Sequence, residues 1–185
     1  MDVELVLRAR DGDHDAFAQL AARSIGHLTA IARMILHDEY RAQDAVQDAL
    51  VDAWRGLRGL RDPERYDAWL RRILVRSCRE KARREWRRDT MEVDLASTAD
   101  PIVAGGHDVV DVHDRLERGL ARLSPGERAV LVLTYFVDMP LAEAATTLDI
   151  PLGTMKSRLN RALQALRAAI EAAEREPARP TERVR

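Results

Sequence analysis

Residues 89–114 hold seven acids and neither Lys nor Arg, with Pro101 and Gly105-Gly106 among them and no sustained hydrophobic period. A segment of that kind cannot bury enough apolar surface to offset its ordering entropy, so it is expected to be a solvated linker. Placed in the middle of 185 residues, it leaves room for two small domains. Both flanks carry helical patterning. The chain holds 28 Ala, a strong bias toward helix, while 9 Gly and 7 Pro are few for a sheet-rich chain with many turns. The expected fold is all-α: two small helical domains on a flexible acidic linker, the second containing a helix-turn-helix. The expected boundaries are 1–88 and 112–173 for the domains, 89–111 for the linker and 174–185 for a disordered tail.

The net charge of −1 conceals strong segregation. Residues 1–54 are acidic on balance, 55–88 strongly basic, 89–114 purely acidic and 115–185 mildly basic. Such segregation suggests an anionic partner for some segments and a cationic one for others. Nearly all the basic residues are Arg, which favours bidentate phosphate contacts, although a GC-rich genome gives the same bias. Cys78 is the only cysteine, excluding an internal disulfide and any Cys-based zinc cluster. With Arg79 and Lys81 nearby, a depressed thiol pKa is one reading of Cys78; a small residue on a packed helix is the other. The five His show no ligand spacing, and no nucleophile constellation or phosphate-binding Gly loop is evident. No catalysis, metal or cofactor is expected. Without a secretory signal core or a long apolar run, a cytoplasmic location without membrane insertion is expected.

Within 1–88, four helices are expected: about Val3–Arg10, Asp15–Leu36, Arg41–Leu57 and Glu64–Arg88. Phe17, Leu20, Ala21, Ile25, Leu28, Ile31, Ala32 and Ile35 recur at helical spacing in the second. The third has an apolar stripe from Ala42 to Leu57 and, on another side, Asp44, Gln47, Asp48, Val51 and Asp52 at i, i+3, i+4, i+7 and i+8. That acidic stripe suits a basic partner helix or simply water. The fourth carries Arg72, Arg76, Arg79, Arg83 and Arg87 along one side, with Trp86 available to stack or pack. This suits a nucleic-acid backbone, but a solvated charged face has the same composition.

In the second domain, Ser124-Pro125-Gly126-Glu127 has the form of a capping box. Asp138-Met139-Pro140 ends the helix it opens. Leu141–Leu148 is a two-turn helix, and Asp149-Ile150-Pro151 is a short turn in which Asp tolerates the left-handed conformation. The helix from Leu152 to Ala169 has Leu152, Met155, Leu159, Ala162, Leu163, Leu166 and Ile170 on one face. Lys156, Ser157, Asn160, Arg161 and Gln164 lie on another. This is the pattern of a helix-turn-helix whose second helix reads a major groove; an amphipathic hairpin with a solvated polar face shares it.

Taken in order, these segments resemble the extracytoplasmic-function sigma factors, the smallest specificity subunits of bacterial RNA polymerase. The resemblance rests on Gly12-Asp13 with Ala16-Phe17 and Leu20, on the run from Ala42 to Leu50, on Trp69-Leu70-Arg71-Arg72-Ile73, and most specifically on the run from Gly153 to Ala162. It covers roughly residues 3–170. It implies that Asp44, Gln47, Asp48 and Asp52 bind core polymerase at the β′ clamp helices. It implies that Trp69, Arg72, Arg76, Arg79 and Arg83 engage the −10 element of promoter DNA, and that Thr154, Lys156, Ser157, Arg158, Asn160 and Arg161 engage the −35 element, with the second domain resting on the β-flap. The linker would thread toward the RNA exit path, where its carboxylates mimic phosphate. An anti-sigma factor is a further partner the family implies. The chain departs from the family pattern at Arg76, where Asn is common, at Asp149, where Gly is common, and at Ala144, where a larger apolar residue is usual. A free-standing helix-turn-helix regulator is the alternative; it explains residues 112–170 but neither the acidic stripe nor the domain split.

Overall fold

The computed structural model describes residues 2–83 and 116–175, and within them the chain is a set of helices joined by capped turns. Helix α1 (Val3–Arg10) starts where the Asp2 carboxylate accepts from the Leu5 N–H. Gly12 turns the chain with φ +103°, a left-handed value suited to glycine. Asp13 then caps α2 (His14–Leu36) by accepting from the Ala16 N–H, and its other oxygen takes the Arg8 guanidinium at 2.7 Å. The Ala16 amide first, and Arg8 second, hold the Asp13 carboxyl below its usual range. His37 ends α2 in the left-handed region, and Asp38 caps α3 (Glu39–Gly56) through the Arg41 N–H. An Arg33–Glu39 ion pair spans that corner.

Ala42, Ala45, Ala49 and Ala53 are fully buried along α3. Small side chains there let α2 and α4 pack closely on either side of it. Two 3₁₀ turns, Leu57–Gly59 and Pro63–Arg65, lead into α4 (Tyr66–Lys81). The α-helix expected from Glu64 therefore begins two residues later. Asp62 accepts from the Glu64 N–H and Pro63 opens the turn, which favours a tight local start. The expected run of α4 to Arg88 also stops short: the helix ends at Lys81, where Ala82 leaves helical geometry (φ −97°, ψ 18°) and its N–H donates to the Cys78 and Glu80 carbonyls, and the residues beyond Arg83 lie outside the described ones.

In the second half, α5 is described over 116–121. A Cβ on its Gly119 would sit 2.9 Å from a Leu166 methyl and 3.1 Å from Ile170, so a larger residue here would push these side chains of the last helix aside. The capping box is present as expected: Ser124 accepts from the Glu127 N–H, and Glu127 takes the Ser124 N–H at 3.0 Å. It opens α6 (Pro125–Leu131), which widens into a π turn over Val132–Phe136. After Asp138 (φ +52°) come α7 (Leu141–Leu148), the turn at Asp149 (φ +54°), and α8 (Leu152–Arg175). Met155, Leu159 and Ala162 bury the apolar face of α8, but Leu152 is 42% exposed, and so is Ile25 of α2 at 48%. Helical spacing assigns a residue to a face; burial follows only where a neighbouring helix covers it. Burial of a leucine such as Leu133 or Leu148 in this core stabilises the fold by about 1.5–3 kcal/mol.

The two helical halves expected from the sequence are both present, and they touch. Helix α6 packs on α2, and α7 packs on α4, so the buried side chains of both halves form one cluster. The expected linker 89–111 lies outside the described residues. Of the expected tail, residues 174 and 175 still belong to α8 and the rest lie outside.

Candidate polymerase and nucleic-acid interfaces

Three exposed polar faces stand on this framework. On α3 the apolar stripe turns inward and leaves Asp44, Gln47, Asp48 and Asp52 exposed, with Val51 between them at 47% exposure. The stripe is not purely anionic. Lys81, at the end of α4, reaches across to Asp48 at 2.8 Å and to Asp44 at 3.5 Å. The hydrogen bond to Asp48, opposed by partial desolvation, holds the ammonium above its usual value. Packing of α3 against α4 brings this cation to the stripe, a pairing that sequence spacing did not reveal because the partners lie more than thirty residues apart.

On α4, Arg72 and Arg76 are exposed on one side, four residues apart, and Arg83, also exposed, follows two residues after the helix ends at Lys81. Arg76 pairs with Glu80 at 3.2 Å on the open surface. Arg79 is half-buried and donates from Nη1 to the Leu148 carbonyl at 3.0 Å, the last residue of α7. Trp69 is half-buried as well. Its ring lies 3.4 Å from where a Cβ on Gly56 would stand and 6.0 Å from the Tyr66 ring centroid. Its inner edge is therefore a packing surface, with only the remainder facing out. Arg87 and Trp86 lie outside the described residues.

On α8, Lys156, Ser157, Asn160 and Arg161 are exposed, while Thr154 and Arg158 are half-buried. Lys156 stacks above Asn160 and Ser157 above Arg161 at the i,i+4 spacing, giving a compact face of cations and hydrogen-bonding groups. The Ser157 hydroxyl donates to the Thr154 carbonyl at 3.0 Å. Asp149 takes the left-handed conformation expected of it, and Pro151 starts the following turn. A short helix, a tight turn and a longer helix with its polar face outward have the form of a reading head for a groove.

Cys78 is fully buried, and burial pushes its thiol up to about 12. Of its two sequence readings, the packed small residue stands; Arg79 and Lys81 both turn to other partners. Among the described residues, no cluster of three or more His, Cys, Asp or Glu side chains could hold a metal ion, and no helix is long and apolar enough to cross a membrane.

Arg128 was not singled out by its sequence position. It is only 5% exposed, and its Nε donates to the Ile35 carbonyl at 2.7 Å. Further donations go to the carbonyls of Leu36, Leu120 and Leu123. A single Arg in an otherwise ordinary amphipathic helix gives no signal of such a role.

The faces coincide with known sequence families. Residues 20–88 match sigma-70 region 2, and residues 119–168 match sigma-70 region 4. The chain is 33% identical to the ECF RNA polymerase sigma factor SigM of Mycobacterium tuberculosis over 162 residues, covering 87% of this chain and 80% of that one. It is 32% identical to the RNA polymerase sigma factor CnrH of Cupriavidus metallidurans, covering 91% and 93%. The solved structure of CnrH in complex with the cytosolic domain of CnrY superposes with a TM-score of 0.64, covering 92% of this chain and 97% of CnrH. The sigma factor RpoE of Bartonella quintana shares the fold at a TM-score of 0.58. With both sigma-70 regions present in order, and relatives matched along most of their length, this chain belongs to the extracytoplasmic-function sigma factors of RNA polymerase.

Proposed function

We propose that the chain is the promoter-reading, non-catalytic subunit of RNA polymerase, with its three exposed faces divided among three tasks. Asp44, Gln47, Asp48 and Asp52 on α3 dock onto the β′ clamp helices of core polymerase. Trp69, Arg72, Arg76 and Arg79 on α4, with Arg83 just beyond its end, hold the −10 element through phosphate contacts and stacking. Thr154, Lys156, Ser157, Arg158, Asn160 and Arg161 on α8 engage the −35 duplex while this half rests on the β-flap. Within the last group, Asn160 has the chemistry to pair bidentately with adenine, and the cations suit guanine or phosphate.

The observation that carries the assignment is the exposure of an acidic, an arginine-rich and a mixed polar face on three different helices of a chain with both sigma-70 regions. The protein works where the polymerase works, in the cytoplasm, and bond formation is left to the polymerase. Both solved relatives were captured with a protein partner: the CnrY cytosolic domain for CnrH and the anti-sigma factor NepR for RpoE. An anti-sigma factor is the corresponding regulatory partner proposed here. The test is reconstitution. Purified protein should co-elute with core polymerase and direct transcripts from a defined start site. Duplex binding with no dependence on core polymerase, and no start-site selection, would favour the free-standing regulator instead.

A further inference from the structure

Helix α3 presents more than carboxylates. At about 100° per residue, Tyr40, Asp44, Gln47 and Val51 fall within about 60° of one another around its axis, and all four are exposed. Tyr40 is 84% exposed, more than any other large apolar side chain among the described residues, and Val51 stands on the same line. The two lie three turns apart, about 17 Å along the axis. The steps between the four positions are four, three and four residues, the spacing of a coiled-coil seam. In that seam the outer two layers are apolar, and the inner two are a carboxylate and an amide.

The acids on either side of the seam are already engaged. On one flank Glu39 is held by Arg33 and accepts from the Gln43 Nε2 at 2.7 Å. On the other, Lys81 reaches Asp48 at 2.8 Å and Asp44 at 3.5 Å. An exposed ion pair that only replaces one already formed gains little. Interfaces draw most of their binding strength from a few aromatic and apolar side chains ringed by polar groups that keep water out. Tyr40 and Val51 are the side chains of that kind on this face, with Gln47 on one side of them and Asp44 on the other.

We propose that Tyr40 and Val51 are the anchors of the α3 surface, and that its occupant is a basic helix laid along α3 in coiled-coil register. Apolar side chains of that helix face Tyr40 and Val51, and a cation and a hydrogen-bonding side chain face Asp44 and Gln47. The sign of its charge follows from Asp44, Asp48 and Asp52, which outnumber Lys81 and Arg55 on this side. The inference rests on the function proposed above, under which the helix belongs to the β′ clamp of core polymerase. The acids then guide approach and set the register, and the anchors set how long the complex lasts.

The experiment titrates core polymerase into the full chain, dye-labelled at the exposed position Gln164→Cys and followed by anisotropy. Native Cys78 is buried and does not compete for label. Tyr40→Ala should weaken binding about tenfold or more and Val51→Ala about fivefold, through faster dissociation. Tyr40→Phe should stay within about threefold of the wild type, because the ring is the anchor. The Tyr40→Ala factor should be the same at about 0.1 and 0.4 M salt, whereas the factor for Asp48→Lys should shrink as salt screens it. Both anchors are exposed, so the melting temperatures of the alanine variants should match the wild type. A photoreactive benzoylphenylalanine in place of Tyr40 should crosslink to the β′ subunit. Wild-type affinity in both alanine variants, with Asp48→Lys still weak, overturns the anchors and leaves the polymerase assignment standing. A Tyr40→Ala effect that vanishes at high salt overturns their apolar role. Crosslinking between two copies of the chain, with dimers lost in Tyr40→Ala, gives the surface to self-association and overturns the occupant named here. A wild-type chain that does not bind core polymerase at all sinks the proposed function, and this inference with it.

Discussion

Reversing the acidic stripe is the most direct perturbation of the proposed polymerase contact, and Lys81 determines how it must be done. Asp48→Lys removes a 2.8 Å ion pair with Lys81 and replaces it with two facing cations. Asp48 is 58% and Lys81 27% exposed at the side chain, so the pair is well screened. It contributes about 0.5 kcal/mol, and reversal costs about 1 kcal/mol of folding stability in all. In a chain of this size that is a fall in Tm of about 2–4 °C. The loss at the polymerase is expected to be larger. A desolvated interfacial charge pair contributes about 2–5 kcal/mol, which weakens core binding by roughly 30-fold to several thousand-fold. The discriminating variant is the charge swap, Asp48→Lys with Lys81→Asp, which rebuilds the ion pair with its polarity inverted. Its melting temperature should return to near the wild-type value, while its affinity for core polymerase, measured by anisotropy or co-elution, should stay low. Wild-type affinity in the swap would refute the assignment of α3 as the polymerase-facing helix. Recovery of stability and affinity together would show that Asp48 serves the fold alone.

Three further outcomes are expected. Asn160→Ala should relax discrimination at one −35 position by about 1–3 kcal/mol, whereas Arg161→Ala should weaken all sequences alike and flatten the salt dependence; an unchanged motif in binding-site selection with Asn160→Ala would remove its reading role. Cys78, its thiol pushed up to about 12 by burial, should resist iodoacetamide at pH 8 in the folded protein and react only on unfolding; fast modification of the native state would contradict the packing around it. His37 is held below its ordinary value by burial and then by Arg128, with Glu117 pulling the other way. The folded protein therefore favours the neutral ring, a contribution present above the ordinary histidine range and lost as pH falls below it, so the melting temperature should drop from about pH 7.5 to 5.5 more in the wild type than in His37→Gln; an equal drop in both would remove His37 as a source.

Legibility in the sequence followed the range of the interactions. Helix α7 lies at Leu141–Leu148 as expected, and Ser124, Glu127 and Asp149 do what their types suggest, because capping and tight turns are decided within four residues. The acidic face of α3 and the polar face of α8 were legible because exposure follows from helical period once the apolar stripe is buried. The 3₁₀ start before α4 was not, since it depends on how Asp62 and Pro63 close a local turn against a helical pattern that continues through them. Nor was the π turn at Val132–Phe136, where the residue types suit an ordinary helix. The long-range polar contacts were the least legible. Lys81 with Asp48, Arg79 with Leu148, and Arg128 with Ile35 join residues far apart in the chain, and two of the three end on backbone carbonyls, which carry no residue-type signal at all.

The turn between α7 and α8 has a thermodynamic consequence for the DNA contact proposed for α8. Asp149 is already in the left-handed conformation, Pro151 has its φ fixed by its own ring, and the first turns of α8 are anchored by fully buried Met155 and Ala162. Nothing in this joint has to be ordered when the helix enters a groove. What remains to be immobilised is a handful of exposed side chains, Lys156, Asn160 and Arg161 foremost, at about 0.5–1.5 kcal/mol each. The proposed reading head is in this sense prepaid at folding: its entropy of association would be set by side chains, released counterions and water, with little backbone left to order in this joint.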